Sequence, residues 1–161
     1  MGLVSDEIEL GPIQQTELND LFVLFSEVVA RGEGYPHASP LTWSDFEQTW
    51  VAPVTTVVVA RRAGRLVGAY YLKPNSVGRA AHIANAGYLV DRRHRRLGIG
   101  RSLIEDSIER AQLFGFDAIQ FNLVFVSNPA RPLYEELGWR EIGRVPNVVD
   151  GEDAIIYWRS V

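Results

Sequence analysis

The sequence predicts a mixed α/β domain whose elements run β-α-α-β-β-β-α-β-α-β-β. Three observations predict it. Short β-branched or apolar runs alternate irregularly with helical periodicity, which excludes the repeated βα units of a parallel sheet or barrel. The chain of 161 residues carries no internal repeat, low-complexity tract or linker, so residues 1–161 are expected to form a single domain. Apolar residues make up 47% and charged residues 22%, the balance of a globular chain rather than a disordered one.

Residues 7–10 read as a first strand, closed by Gly11-Pro12. Residues 16–31 follow as a helix: Thr16 can cap it, and Leu18, Leu21, Phe22, Phe25, Val28 and Val29 recur at helical spacing. Gly, Pro and Ser make 32–40 a loop, and 42–50 is a shorter helix with Trp43, Phe46 and Trp50 on one side. The runs 56–62 and 66–72 flank Ala63-Gly64-Arg65, a hairpin signal, and 80–90 is a third extended stretch. Between 99 and 114, Ile99, Leu103, Ile104, Ile108, Ala111 and Phe114 define a helical face. Arg101/Glu105 and Asp106/Arg110 support its solvent side at i,i+4. Residues 118–124 read as a strand, 129–137 as a helix stopped by Gly138, and 139–145 and 153–159 as the last two strands.

Composition narrows the function classes. The chain has no cysteine, which excludes a disulfide framework, thiolate zinc sites, iron–sulfur clusters and a cysteine nucleophile. His37, His82 and His94 lack ligand spacing, so no metal is expected. The net charge of −4 argues against nucleic acid as a partner. No apolar stretch is long enough to span a membrane, and the opening MGLVSDEIEL carries acids instead of a basic-then-apolar leader. A cytoplasmic domain with neither nucleic acid nor membrane as partner is the expectation. Of the 16 basic residues only Lys73 is lysine, and Arg92, Arg93, Arg95, Arg96 and Arg101 fall close together. A positive field so local suits one small anionic ligand.

The segment VDRRHRRLGIGRSL at 90–103 carries that chemistry. A strand ends, an Arg-rich turn follows, and Gly98 and Gly100 open an amphipathic helix. Glycine admits ligand atoms close to the backbone, first-turn amides lack intrahelical partners, and the helix dipole adds roughly half a positive charge. Together they make an anion site, which Arg95, Arg96 and Arg101 can reinforce, for a phosphate and most simply a pyrophosphate. Gly-x-Gly alone is weak evidence. Position 103 is Leu, so the pattern is not Gly-x-Gly-x-x-Gly, and no Gly-Lys-Ser/Thr follows for a P-loop. A glycine-rich helix entry with a solvated Arg face is the alternative.

The run Val90-x-x-x-x-Arg95-x-x-Gly98-x-Gly100-x-x-Leu103 resembles the acetyl-CoA pyrophosphate motif of the GCN5-related N-acetyltransferase (GNAT) family. Downstream, SNPARPLYEELGW at 127–139 resembles that family's Asn-x-Ala-x-x-Leu-Tyr-x-x-Leu-Gly-Phe segment, and the element order agrees from about residue 7 onward. The resemblance implies a mostly antiparallel sheet with helices on both faces, and direct transfer of acetyl from acetyl-CoA to an amine. By that resemblance Leu89 and Val90 offer backbone groups to the pantetheine arm and thioester. The amides of Arg95, Arg96, Leu97, Gly98, Ile99, Gly100, Arg101 and Ser102 hold the pyrophosphate, and Asn128 contacts the coenzyme arm. Tyr134 stands beside the sulfur and protonates the departing thiolate; packing beside Leu133 and Leu137 is the alternative. Arg96 stands where the family more often has Gly, and Arg92 where Pro is frequent.

On the acceptor side, relatives often place a Glu on the strand before the pyrophosphate motif, but HIANAGYLV at 82–90 has no acid. Asn85 and Asn122 look like a polar pair that orients a small substrate; satisfying backbone groups at a split in the sheet is the alternative. The wording Asn-Ala-Gly-Tyr and Phe-Asn-Leu-Val is similar to a branch that acetylates proline analogues such as azetidine-2-carboxylate. Tyr35 and Trp43 lie in the region that covers the family's acceptor pocket, where their rings could wall it; core packing of Trp43 with Phe46 and Trp50 competes. His37 is a candidate proton acceptor or a surface histidine. The expectation is therefore a small-molecule N-acetyltransferase, with peptide or protein acetylation and a non-catalytic acyl-CoA-binding module as rivals. Members of the family often dimerise, so a homodimer is compatible with the sequence.

Overall fold

The protein, described over residues 6–161 by a computed structural model, contains seven strands and four helices. The reading of residues 1–5 as free of a leader lies outside those residues. In chain order they are β1 (Ile8–Pro12), α1 (Leu18–Ala30), α2 (Trp43–Trp50), β2 (Thr56–Arg62), β3 (Arg65–Pro74) and β4 (Ile83–Val90). Then follow α3 (Ile99–Leu113), β5 (Ala118–Phe125), α4 (Arg131–Glu136), β6 (Arg140–Val149) and β7 (Glu152–Ser160). The strands form one sheet in the order β1-β2-β3-β4-β5-β7-β6. Every pairing is antiparallel except that of β4 with β5. The mixed, mostly antiparallel α/β architecture is as expected.

Alternation along the central strands divides the core into two layers. Val57, Val59, Ala69, Tyr71 and Leu89 face α1 and α2, where Leu21, Phe25, Phe46 and Trp50 are fully buried. Val58, Ala60, Tyr70, Leu72 and Ile119 face the other way, toward Ile99, Leu103 and Ile104 of α3 and Tyr134 of α4. Each fully buried Val, Leu, Ile or Phe among them stabilises the fold by about 1.5–3 kcal/mol through burial. Two hydroxyls tie α3 to the sheet: Tyr70 donates to Asp106 at 2.6 Å, and Tyr88 lies 2.7 Å from Ser107. The expected i,i+4 pairs on α3 form, Arg110–Asp106 at 2.8 Å and Arg101–Glu105 at 3.5 Å.

Four expectations change. Thr16 does not cap α1: a 3₁₀ turn, Gln15–Glu17, precedes the helix, and the Gln14 amide donates to the Glu17 carboxylate. The stretch 80–90 is extended only from Ile83, because a 3₁₀ turn at Gly78–Ala80 closes through Ala80 N to Val77 O and Ala81 N to Gly78 O. Phe114, counted on the α3 apolar face, is half-exposed as the helix ends beneath it. Trp139 leaves the β6 ladder for the core, where its indole N–H donates to Ile119 O, and β6 instead runs on to Val149 as an edge strand that tolerates Pro146.

Candidate active site

The parallel strands β4 and β5 pair over three residues only, from Ile83↔Ala118 to Asn85↔Gln120. Beyond that they part, and β5 shifts register against β7 between Phe121 and Val124. The Asp91 amide donates to Val67 O at 2.8 Å, which fixes the phase of the β3–β4 ladder. Since hydrogen-bonded pairs alternate, Gly87 and Leu89 direct their backbone groups to Tyr71 and Ala69, while Tyr88 and Val90 direct theirs into the gap. The expected backbone role of Leu89 is thereby corrected: its polar groups belong to β3, its side chain is buried against α1 and α2, and the backbone groups that face the gap are those of Tyr88 and Val90. The Tyr35 hydroxyl already donates to Tyr88 O at 2.8 Å, so the 32–40 loop is pinned to the gap.

At the end of β4 lies the anion cradle. Gly98, with φ +75°, caps α3 without any side-chain hydrogen bond. The first helical bond runs from Ser102 N to Gly98 O at 3.0 Å, which leaves the amides of Ile99, Gly100 and Arg101 without helical partners. Ser102's amide is therefore withdrawn from the expected set. A Cβ built at Gly100 would meet only Val90 Cγ2 at 3.9 Å, and one at Gly98 would meet nothing within 4 Å. Packing inside the protein does not require glycine at 100, and the unpartnered amides of a helix start suit an anion. Arg96 resolves its departure from the family pattern by adopting φ +66° itself, a left-handed turn that costs an L-residue roughly 1–2 kcal/mol.

The arginines are engaged by acids. Arg95 reaches Glu33 at 3.1 Å, Arg101 reaches Glu136 at 2.8 Å, and Arg93 holds Asp91 and Glu27. Arg92 and Arg96 lack a carboxylate partner among the described residues. Burial alone would raise the Asp91 carboxyl, but hydrogen bonds from the Arg93 side chain and amide hold it below the ordinary range. That carboxylate caps the turn Arg92–His94 through Arg93 N at 3.0 Å and so fixes the approach to the cradle.

A cleft of about 290 Å³ opens between the gap and the 32–40 loop. Its floor is the ring of Tyr71, which lies across Gly87: a Cβ there would stand 2.6 Å from the ring, so only glycine fits. Lys73, Asn85 and Asn122 line one end, Tyr35, His37 and Thr49 the roof, and Phe121, Asn128 and Tyr134 the side toward the gap. No acidic side chain lines it. Tyr134 is buried, with its ring 4.7 Å from Phe121, yet its hydroxyl has no hydrogen-bond partner among the described residues. Burial, then the nearby Tyr157, raises its pKa well above the ordinary tyrosine value, so the proton is held.

The asparagines are partly committed. Asn85 donates to Gln120 O at 2.9 Å at the last β4–β5 pair, as the backbone-satisfying alternative anticipated, and keeps a second N–H. Asn122 donates to Asn75 at 2.7 Å and accepts from Gln120, and makes no bond with Asn85. Asn128 Oδ1 accepts from Ala130 N, leaving its amide nitrogen for a ligand. Trp43 is corrected: it is 42% exposed, leans on Phe22 and Phe46, donates to Glu47, and does not line the cleft. It sits on the outer side of α2, whereas Thr49 faces inward.

His37 is part of the cleft. Its Nε2 lies 3.0 Å from Thr49 Oγ1, and Thr49 donates its own hydrogen to Asp45 O. Nε2 therefore carries a hydrogen, and the neutral ring leaves Nδ1, which is buried, without a partner. Burial first, and the charge of Lys73 as well, lower the His37 pKa against an opposing pull from Asp45. Sequence reasoning missed Lys73, Tyr71 and Thr49. The one available signal was that the only lysine of the chain stands two residues from Tyr71 on a strand, hence on the same face. Among the described residues no group of three His, Cys, Asp or Glu side chains could hold a metal.

A split between parallel strands that runs from the unpartnered amides at the start of α3 to a small cleft suits an extended ligand with an anionic group at one end. Comparison with known proteins gives the family. Residues 18–139 match the acetyltransferase (GNAT) family, and the chain belongs to it. A GCN5-related N-acetyltransferase from Kribbella flavida superposes with a TM-score of 0.88 at 30% identity, covering 96% of this chain and 98% of that one. The N-acetyltransferase aca1 of Schizosaccharomyces pombe is 40% identical over 99 residues, 57% of this chain; the match spans about half, 47%, of that relative's length. The fold is shared at 15% identity with yncA from Salmonella typhimurium, whose structure holds its cofactor acetyl-CoA (TM-score 0.83, 96% and 94% of the two chains).

Proposed function

We propose that this GNAT-family acetyltransferase moves acetyl from acetyl-CoA to the amine of a compact amino acid or analogue, of the azetidine-2-carboxylate kind. One observation carries the reading: the unpartnered Tyr134 hydroxyl stands where the β4–β5 gap meets a small cleft that has no acidic lining. The amides of Ile99, Gly100 and Arg101 would hold the diphosphate, with Arg96 free to add charge and Arg95 and Arg101 exchanging Glu33 and Glu136 for phosphate. Backbone groups of Tyr88 and Val90, and the amide of Asn128, would line the arm and orient the thioester carbonyl.

The acceptor nitrogen, entering as the free amine, attacks the thioester carbonyl. As the carbon–sulfur bond breaks, the Tyr134 phenol gives its proton to the departing thiolate, a general-acid step of the kind worth roughly 10²–10⁴-fold. The elevated pKa of Tyr134 keeps its hydroxyl protonated and able to donate as negative charge develops on sulfur. The phenolate left by the transfer takes back a proton from solvent, which balances the one the amine releases. Without a carboxylate base in the cleft, the attacking amine sheds its proton to solvent. The small volume and the asparagine-lined end support a compact acceptor over a peptide, which needs an open groove.

The test is thiol release from acetyl-CoA with a panel of free amino acids, cyclic imino acids and short peptides. Turnover with azetidine-2-carboxylate or proline above that with peptides supports the reading. Turnover with peptides alone, or tight acetyl-CoA binding with no thiol release, overturns it.

A further inference from the structure

The acceptor end of the cleft holds one cation and no anion. Lys73 is the sole lysine of the chain, and it lines the cleft beside its cross-strand partner Asn85. Its ammonium lies 5.2 Å from the centre of the Tyr71 ring and has no carboxylate partner among the described residues. No other lysine or arginine among the described residues lines the cleft. A half-buried ammonium with no carboxylate beside it is less well solvated than one in water, and it gains from an anion brought to it. Burial also lowers the Lys73 pKa from the ordinary lysine value.

That anion is not the coenzyme's diphosphate. Asn85, level with Lys73, stands five residues before Val90, about 17 Å along an extended strand, and the cradle lies beyond Val90. One point charge flanked by amide N–H groups, with no arginine lining the cleft, suits a monoanionic carboxylate better than a phosphate, which calls for more donors and charge. Asn85 keeps one N–H beside Lys73. Neutral His37, across the cleft, adds no competing cation.

We infer that Lys73, assisted by Asn85, is the carboxylate anchor of the acceptor site and makes the enzyme select zwitterionic amino or imino acids over neutral amines. The inference rests on the small-molecule reading of the cleft. With the carboxylate held at Lys73, the amine of a short acceptor turns toward the gap and Tyr134. An amine lacking the carboxylate loses that orientation, so Lys73 is a specificity-determining residue and takes no part in proton transfer.

The experiment uses the full chain and matched substrates: azetidine-2-carboxylate and proline against their methyl esters, in the wild type and in Lys73→Gln and Lys73→Arg. Lys73→Gln is expected to lower kcat/KM for the acids about 10- to 100-fold, the loss of one charge-assisted hydrogen bond, with the esters' kcat/KM nearly unchanged. Lys73→Arg recovers part of the loss. Calorimetry with cyclobutanecarboxylate, which cannot be acetylated, gives a second readout: it should bind the wild type and not Lys73→Gln. If no acid or ester is turned over but cyclobutanecarboxylate binding still depends on Lys73, the acetyl-acceptor reading fails and the anchor stands. Equal losses for acids and esters, or cyclobutanecarboxylate binding that is absent from the wild type or unchanged in Lys73→Gln, overturns the anchor.

Discussion

The two halves of the cleft are built by different means. The half proposed for the coenzyme is made of backbone: three helix-end amides, the gap-facing groups of Tyr88 and Val90, and a turn that tolerates φ +66° at Arg96. The acceptor half is made of side chains gathered from the 32–40 loop, α2, β3, β4 and β5 around the Tyr71 ring. A backbone site depends on one contiguous stretch and binds a group common to many acyl donors. A side-chain site depends on sheet register and can change its ligand by a single substitution. Tyr134 stands at the border, its ring packed against Phe121 and its hydroxyl without a hydrogen-bond partner among the described residues.

Substitutions should separate these regions, and the largest effect is expected at the border. Tyr134→Phe should lower kcat by about 10²–10³-fold, with acetyl-CoA affinity and melting temperature nearly unchanged, because the hydroxyl has no hydrogen-bond partner among the described residues. Steady-state kinetics with calorimetry checks this, and undiminished turnover would remove Tyr134 from the mechanism. Next, Gly100→Asp places a carboxylate in the diphosphate space while its Cβ meets only Val90. Acetyl-CoA Kd should rise about 100-fold, equivalent to two charge-assisted hydrogen bonds of about 1.5 kcal/mol each, with acceptor preference retained. A fall in thermal stability instead of affinity would mean that the helix end is packed rather than open.

The pH dependence sharpens the border further. Because the Tyr134 pKa is raised above the ordinary 10.0, the donating form persists as pH climbs, and kcat should show no alkaline loss below that value. A descending limb between pH 8 and 9 that vanishes in Tyr134→Phe would contradict the assigned environment. The smallest effect is expected at Arg96→Gly. Relief of the left-handed strain, offset by glycine's greater unfolded entropy, should stabilise the protein by about 1 kcal/mol, roughly 2–4 °C in Tm. Acetyl-CoA affinity should fall slightly with the lost charge, and thermal melts in both states read the two effects.

The same contrast explains what the sequence disclosed. Gly98 and Gly100 were legible from the glycines that open a helix after an Arg-rich turn, Asn128 and Tyr134 only through the resemblance of their short motif to the family's, and helix periodicity placed α2 and α3 closely. The choice between Leu89 and Tyr88 was not local, because it turns on the hydrogen-bond phase between β3 and β4, set by Asp91 and Val67. Trp43 and Thr49 share one short helix, but only tertiary packing decides that the threonine faces the cleft and the tryptophan faces out. Lys73 was conspicuous only by composition, and its meaning appears once Tyr71 is seen lying across Gly87.

A crystal structure with coenzyme A tests the central claim most directly. The account predicts diphosphate oxygens on the amides of Ile99, Gly100 and Arg101, the arm between β4 and β5, and the sulfur within hydrogen-bonding reach of the Tyr134 hydroxyl. A diphosphate bound away from the start of α3, or a sulfur that Tyr134 cannot reach, would contradict it.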